Sequence, residues 1–191
     1  MSVDPVKSIR DADFVFKNTV VKIVANRNSP KIDLPCIKVG PFKEGKEYEV
    51  RYWIATELKK AGIARIRMED PLDLMMLSKI HWKECVQASR IATSVPKEFY
   101  PKLRRFLEEL HEKAIKKPEK RSDSEKAKNL SADIIRMRLK KIVSLASSGR
   151  DQTGQLLQSL TKEEKSMYDC LHKIIDEWQT EILKIQGENK T

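Results

Sequence analysis

The 191-residue sequence is poor in the features that catalysis usually requires. It contains six glycines, and neither G-x-x-x-x-G-K-[ST] nor G-x-G-x-x-G, the loops that cradle phosphates, is present. H-E-x-x-H and G-x-S-x-G are also absent. The three histidines, His81, His111 and His172, lie in separate predicted helices. We therefore expect a protein that is not an enzyme, with no catalytic, cofactor-binding or metal-binding residues.

Cysteine is scarce as well, and Cys36, Cys85 and Cys170 are never in a C-x-x-C spacing. This argues against a disulfide framework or a zinc site and favours a reducing compartment. His81 and Cys85 are four residues apart in a predicted helix, a spacing that could hold a metal. Because the sequence shows no third ligand, we expect a core histidine and core thiols instead.

No apolar run has membrane-spanning length, and the N-terminus has no signal-like apolar segment. A soluble, cytoplasmic protein is the expectation. The formal charge of +10 raises the alternative of a basic nucleic-acid-binding module or regulator. Its densest basic runs, residues 116–121 and 136–141, carry no interleaved aromatic residues. We expect a solvated loop and a solvated helix face, respectively.

The first third of the sequence is patterned like a small β-rich domain. Residues 12–17, 19–24, 34–39, 47–51 and 63–67 are predicted strands, since they are short and rich in β-branched or alternating apolar residues. Between the last two, Tyr52, Trp53, Ala55 and Leu58 fall at helical spacing, and Gly62 is a suitable residue to end that helix.

The remainder is helical in its periodicity. Helices are predicted from Asp70–Pro71 to Thr93, from about Pro101 to Pro118, from about Ser124 to Ser148 before Gly149, and from a capping box at Thr161 and Glu164 onward. Residues 117–124 and 150–159 are predicted loops. The fold class is therefore α+β: a β-rich domain (1–69), a helical bundle domain (70–186) and a polar tail (187–191).

The stretch that joins the two domains resembles a known family. It contains Gly-Pro-Phe followed by Val-x-x-Trp-Ile-Ala-x-x-Leu, a pattern similar to that of GINS subunits, although Arg51 stands where the family often has proline. The order of domains, β-domain first, resembles the archaeal GINS subunit that stands in for the second and third eukaryotic Psf subunits. The residues that match the family pattern are Gly40, Pro41, Phe42, Val50, Trp53, Ala55 and Leu58.

This resemblance implies a non-catalytic part of the replicative helicase. The implied partners are a second type of GINS subunit in a 2:2 tetramer, the MCM helicase, a RecJ-like protein and possibly primase. The implied location is the replication fork in an archaeal cytoplasm, with DNA contact weak or indirect. No cofactor is implied.

The long apolar stripe of the last predicted helix, and the apolar residues beside the main stripe of the third, are candidates for the subunit interface, because a large exposed apolar patch usually marks one. We expect Trp53 to anchor the small domain, whereas Trp82 and Trp178 suit a core and an interface equally. The candidate interface residues are Ile135, Leu139, Leu171, Ile175, Trp178 and Ile182.

Overall fold

The computed structural model describes residues 4–34, 37–68, 70–86, 95–148 and 154–184. The chain divides into two compact units, Asp13–Pro71 on the one hand and Met1–Ala12 with Leu72–Thr191 on the other. A small sheet region is thus followed by a helical domain, which confirms the α+β prediction. The predicted limit of 1–69 for the small domain differs at its start, because Met1–Ala12 groups with the helices.

The chain begins with a helix that the sequence did not predict. Helix α1 spans Pro5–Lys17, so the predicted strand at 12–17 is wrong. Asp4 starts the helix, since its side chain accepts the backbone N–H of Val6 at 2.9 Å and Pro5 occupies the first position, where no N–H is needed. Phe16 and Asp13 are buried, three residues apart on one helix face.

The small unit is built on a three-stranded antiparallel sheet in the order β4-β1-β5. Strand β1 spans Val20–Ala25, β4 spans Glu47–Arg51 and β5 spans Ala64–Arg67, as predicted within one residue. Ile23 lies opposite Tyr48 on one side and Ile66 on the other, and all three point to the same apolar core.

The predicted single strand at 34–39 is instead part of a hairpin. Strands β2 (Ile32–Leu34) and β3 (Ile37–Val39) pair antiparallel. Pro35 and Cys36, between the two strands in the sequence, lie outside the described residues. Because proline has no N–H to donate to a ladder, a continuous strand through position 35 is unfavourable.

Helix α2, Tyr52–Lys60, covers one face of the sheet with Ile54, Ala55 and Leu58. Gly62 follows it at φ +68°, and the N–H of Ile63 donates to the carbonyl of Leu58 at 2.9 Å. This is the glycine-terminated helix end that the sequence predicted.

The helical unit contains four long helices in the described ranges: α3 (Leu74–Val86), α4 (Phe99–Lys116), α5 (Arg121–Ser147) and α7 (Lys162–Leu183). The predicted cap at Asp70 is wrong. Asp73 starts α3 instead, its carboxylate accepting the N–H of Met76 at 2.7 Å. Residues 87–93 of the first predicted helix, and Gly149 at the end of the third, lie outside the described part.

Two predicted loops are largely helical. Residues 118–120 form a 3-10 turn that leads directly into α5, which therefore begins three residues before Ser124. Pro118 occupies the first position of that turn, where proline is tolerated, so it ends α4 without leaving an open loop. A short helix, α6 (Gly154–Gln158), occupies most of the described part of the second predicted loop.

The core of the helical unit has two apolar clusters along α5. The first packs Leu77, Phe99, Leu103 and Ile134 from α3, α4 and α5. The second packs Ile142, Leu145, Ala146 and Tyr168, with side chains of α6 and α7 against it. Residues 135–141 of α5 lie between these two clusters in the chain, and this segment carries the groups considered next.

Candidate assembly site

A cluster of four buried charges holds α3, α5 and α7 together. Arg138 and Lys141 come from α5, Glu84 from α3 and Glu164 from the first turn of α7. Arg138 is 1% exposed, and the other three side chains are buried as well. With two cations and two anions, the cluster is neutral as a whole, which buried charges require.

Arg138 is at the centre of this ion cluster. Its guanidinium donates two hydrogen bonds to the carboxylate of Glu164, from Nε at 2.8 Å and from Nη2 at 2.6 Å. Nη1 donates to Glu84 Oε1 at 3.3 Å, and Lys141 Nζ approaches Glu84 Oε2 at 2.6 Å. Paired donors matched to a carboxylate are the strongest form of such contacts.

Glu164 also closes the start of α7. Its carboxylate accepts the N–H of Thr161 at 3.0 Å, while Thr161 Oγ1 accepts the N–H of Glu164 at 3.2 Å. This confirms the predicted capping box. Tyr100 of α4 donates its hydroxyl to the same carboxylate at 2.7 Å, so one side chain joins α4, α5 and α7.

The titration of these groups reflects their pairing. Burial alone would raise the pKa of Glu164, but the hydrogen bonds and charge of Arg138, with the Thr161 N–H and the Tyr100 hydroxyl, hold that pKa below its ordinary value. Burial raises the pKa of Tyr100 well above its usual range, and the charge of Glu164 adds to the rise. Burial would lower the pKa of Arg138, yet the carboxylates of Glu164 and Glu84 raise it, so the ion pair of Arg138 with Glu164 stays ionised at neutral pH.

The sequence did contain a signal for this cluster. Arg138 is four residues from both Ile134 and Ile142, which places it on the buried stripe of α5, and Glu84 follows Ile80 at the same spacing on α3. The prediction of a solvated helix face for residues 136–141 is therefore wrong at Arg138 and Lys141. Charged residues on an apolar stripe are buried when a partner of opposite charge faces them.

The predicted core positions of α3 also need correction. Cys85 is exposed, and His81 is half-buried, whereas Glu84 between them is almost fully buried. The helix is rotated so that Glu84 meets Arg138, which turns the thiol toward solvent. The expectation of a core thiol is wrong for Cys85, and Cys170 is half-buried.

Helix α7 is packed over its first half and bare over its second. Met167, Tyr168 and Leu171 contact the second apolar cluster. From Asp176 to Leu183 every side chain of the helix is exposed. This segment includes Trp178 at 64% and Ile182 at 65% exposure, so the helix carries large apolar side chains where the described part of the chain does not cover them.

Four of the candidate interface residues form two exposed stripes, and the other two are half-buried. Ile135 and Leu139 are four residues apart on α5 and both exposed. Trp178 and Ile182 repeat that spacing on α7, in line with Ile174. Leu171 and Ile175 are half-buried against the second cluster. Trp82 of α3 is exposed at 65%. Neither Trp82 nor Trp178 belongs to the core of the chain.

The residues of the Gly-Pro-Phe stretch lie in the small unit. Phe42, Ala55 and Leu58 are buried in its core, Val50 is half-buried against it, and Pro41 is exposed. Gly40 adopts φ +91°, and a Cβ there would approach the ring of Phe42 to 3.3 Å, so glycine suits the turn. Trp53 is 37% exposed, while its neighbour Ile54 is buried in the core, so the expectation that Trp53 anchors the small domain is wrong.

Two features are absent from the residues that the structure describes. Among them, no three His, Cys, Asp or Glu side chains are arranged to hold a metal ion. No helix of the described ranges is long and apolar enough to cross a membrane. Fold and site together define a class of protein: a small sheet unit and a helical bundle with uncovered apolar stripes, suited to assembly with other chains.

Comparison with known proteins narrows the class to a family. Residues 74–183 match the family described as "GINS complex protein helical bundle domain", and residues 8–67 match the "PSF2 N-terminal domain". The chain therefore belongs to the GINS family, as the sequence resemblance indicated, with the Psf2-type domain first. It is 31% identical over 88 residues to the "Probable DNA replication complex GINS protein PSF2" of Drosophila melanogaster. That match covers 46% of this chain and 42% of the fly protein.

Proposed function

We propose that the chain is a non-catalytic, structural subunit of a GINS complex that acts in DNA replication. In this role it pairs with a second type of GINS subunit, in a 2:2 tetramer of the archaeal kind, and the assembly bridges the MCM helicase to a RecJ-like protein and possibly to primase. The family match over the helical bundle supports the general role. The resemblance of the Gly-Pro-Phe stretch to archaeal subunits supports the finer one.

The single observation that carries the proposal is the uncovered end of α7. Residues 176–183 extend about 12 Å at 1.5 Å per residue. A short helical segment without packing is only marginally stable in water. The segment nevertheless carries Trp178 and Ile182 on one face of the helix, and Ile174 continues that face toward the start of the helix. All three side chains are exposed. A partner helix laid along this face would bury the three side chains and stabilise the segment.

The buried ion cluster gives this surface a fixed position. Glu164 fastens the start of α7 to Arg138 of α5, and both belong to the same three-helix arrangement as Glu84. The start of α7 is therefore held in a fixed position against α5, and the exposed segment 176–183 extends from that fixed start.

The contacts of one basic run in the helical unit weaken the alternative of a basic nucleic-acid-binding module. Of the basic run at 136–141, Arg138 and Lys141 are buried in ion pairs, and Arg136 is paired with Asp133 at 3.2 Å. Lys140 is exposed. Fewer positive charges of this run are therefore available to bind phosphate groups than its sequence indicates. A DNA affinity that falls steeply with salt would still favour that alternative.

The proposal is tested by co-expressing the chain with the second subunit type and measuring the mass of the purified assembly in solution. A tetramer of two and two is expected. Trp178→Ala and Ile182→Ala should reduce the fraction of assembly while leaving the unfolding of the isolated chain nearly unchanged, because both side chains are exposed. Ile115→Ala on α4, 68% exposed, is the matched control and should assemble normally. Unchanged assembly in both α7 variants would contradict the assignment of this surface.

A further inference from the structure

Four side chains capable of binding metal meet between α3 and α5. Cys85 Sγ lies 3.8 Å from His81 Nε2 and 3.6 Å from Met137 Sδ. Asp133 Oδ2 is 3.9 Å from the same Nε2. His81 and Cys85 are one helical turn apart on α3, as Asp133 and Met137 are on α5. The two pairs therefore face each other turn for turn.

We propose that Cys85, His81 and Met137 form a binding site for one soft monovalent metal ion, Cu(I), with Asp133 at its edge. Bonds of about 2.0–2.3 Å from one ion to sulfur and nitrogen place neighbouring ligands about 3.4–3.9 Å apart. The observed separations of 3.6 and 3.8 Å fall within that range. Cys85 Sγ is also 3.9 Å from His81 Nδ1, so a rotation of the imidazole is required to direct one ring nitrogen toward an ion bound at the sulfur.

The ligand types select the class of ion. Thiolate, thioether and imidazole together favour Cu(I), whereas zinc prefers cysteine, histidine and carboxylate and makes little use of methionine. In the described part of the chain, no three side chains of the zinc-preferring kinds are arranged around one point. The site becomes three-coordinate only when the thioether of Met137 is counted.

The ligands stand on a rigid base. Glu84 precedes Cys85 and Arg138 follows Met137, and these two neighbours are joined by the 3.3 Å contact of the ion cluster. Lys141 fixes the same carboxylate at 2.6 Å. Because the ion cluster sets the register of α3 against α5, it also keeps the thiol beside the thioether. Such supporting contacts raise metal affinity by orienting the ligands.

The site is accessible to the ion. Cys85 is exposed and His81 half-buried, so a metal can reach the sulfur without opening the bundle. On binding, the Cys85 thiol releases its proton to solvent and the sulfur forms a bond to the ion, while His81 and Met137 donate lone pairs. No electron is transferred, and the thiolate and Cu(I) neutralise each other.

The test is an anaerobic titration of the full chain with Cu(I) in competition with a chromogenic Cu(I) chelator. One equivalent should bind, and Cys85→Ser, His81→Gln and Met137→Leu should each weaken binding at least about tenfold. Met137→Leu is the decisive variant because it removes the sulfur and keeps the volume. In protein labelled at methionine methyl groups, Cu(I) should also move the Met137 resonance.

Cys170→Ser serves as the control and should bind as the unaltered chain does, since Cys170 lies on α7, away from these ligands in the chain. Binding by Met137→Leu equal to that of the unaltered chain would reduce the site to an isolated thiol and overturn the proposal. Tighter binding of Zn²⁺ that is lost in Asp133→Asn but kept in Met137→Leu would overturn it in favour of a different ion. The result of the metal titration does not depend on whether the chain assembles with other GINS subunits.

Discussion

Replacing Arg138 by methionine tests the energetic role of the ion cluster most directly. The substitution leaves Glu164 buried with its hydrogen bonds from Tyr100 and Thr161 but without its charge partner. Removing one member of a buried ion pair typically costs about 3–5 kcal/mol, because the remaining charge is uncompensated. With a urea dependence of about 2 kcal/mol/M, a 4 kcal/mol loss moves the unfolding midpoint by about 2 M.

The assay is urea unfolding of the full chain, followed by the far-ultraviolet helical signal that reports mainly on the bundle. Arg136→Met is the matched control on the same helix, since Arg136 is 74% exposed and its ion pair with Asp133 contributes at most about 1 kcal/mol. If Arg138→Met loses no more stability than Arg136→Met, the reasoning about the ion cluster is refuted.

The pH dependence of the same variant has a defined sign. Without Arg138, burial should raise the folded-state pKa of Glu164 above its ordinary value of 4.5. A raised folded pKa favours the folded state at low pH and disfavours it as the pH rises through that pKa. The difference between Arg138→Met and the unaltered chain should therefore begin to shrink as the pH falls through the raised pKa of the variant, and it should shrink further below pH 4.5, where the unaltered chain loses the stabilisation from its lowered pKa. Adding Glu164→Gln to Arg138→Met should recover part of the loss at pH 7.

Three further outcomes follow from the contacts described. Thr161→Ala should destabilise the bundle by about 1 kcal/mol through loss of the α7 cap, and Thr161→Ser should cost less, as measured by the same urea unfolding. Leu77→Ala, at a fully buried position, should cost about 2–5 kcal/mol, whereas Met75→Ala on the exposed side of α3 should stay within about 0.5 kcal/mol. In the unaltered chain the pKa of Glu164 is lowered, so its ion pair stabilises the fold above pH 4.5. This stabilisation should fade as the pH falls through the lowered pKa. Thermal melts at pH 7 and at pH 3.5 measure the difference in stability. Equal melts at the two pH values, or a Thr161→Ala chain as stable as the unaltered one, would contradict these expectations.

Local signals predicted those parts of the fold that local chemistry determines. The capping box at Thr161 and Glu164, the glycine at the end of α2 and the alternation of β4 each depend on residues within a few positions of one another, and each is confirmed. The start of α1 was missed although Asp4 and Pro5 are a typical helix beginning. The apolar residues 14–16 favour a strand in the sequence pattern, which conflicts with that cap.

Long-range pairing explains what the sequence did not reveal. Arg138 meets Glu84 and Glu164 across 54 and 26 positions of the chain, and nothing near Arg138 in the sequence announces either partner. The rotation of α3 that buries Glu84 and exposes Cys85 follows from the same pairing. Periodicity places Arg138 on the buried stripe of α5, but only the assembled bundle shows the opposite charges that make its burial favourable.

The double use of Glu164 has a consequence for how the bundle opens. The same carboxylate caps the first turn of α7 and joins that turn to Arg138 and Tyr100, so detachment of α7 removes Glu164 from both of these partners. Arg138 would then keep its longer contact with Glu84 inside the remaining helices. The backbone amides of the first half of α7 should therefore exchange with deuterium only when the whole bundle unfolds, while those beyond Asp176 exchange by local fraying. In α7, hydrogen exchange of the first half should thus depend on the global stability of the bundle. The end of the helix would be protected from exchange only when a partner chain covers it.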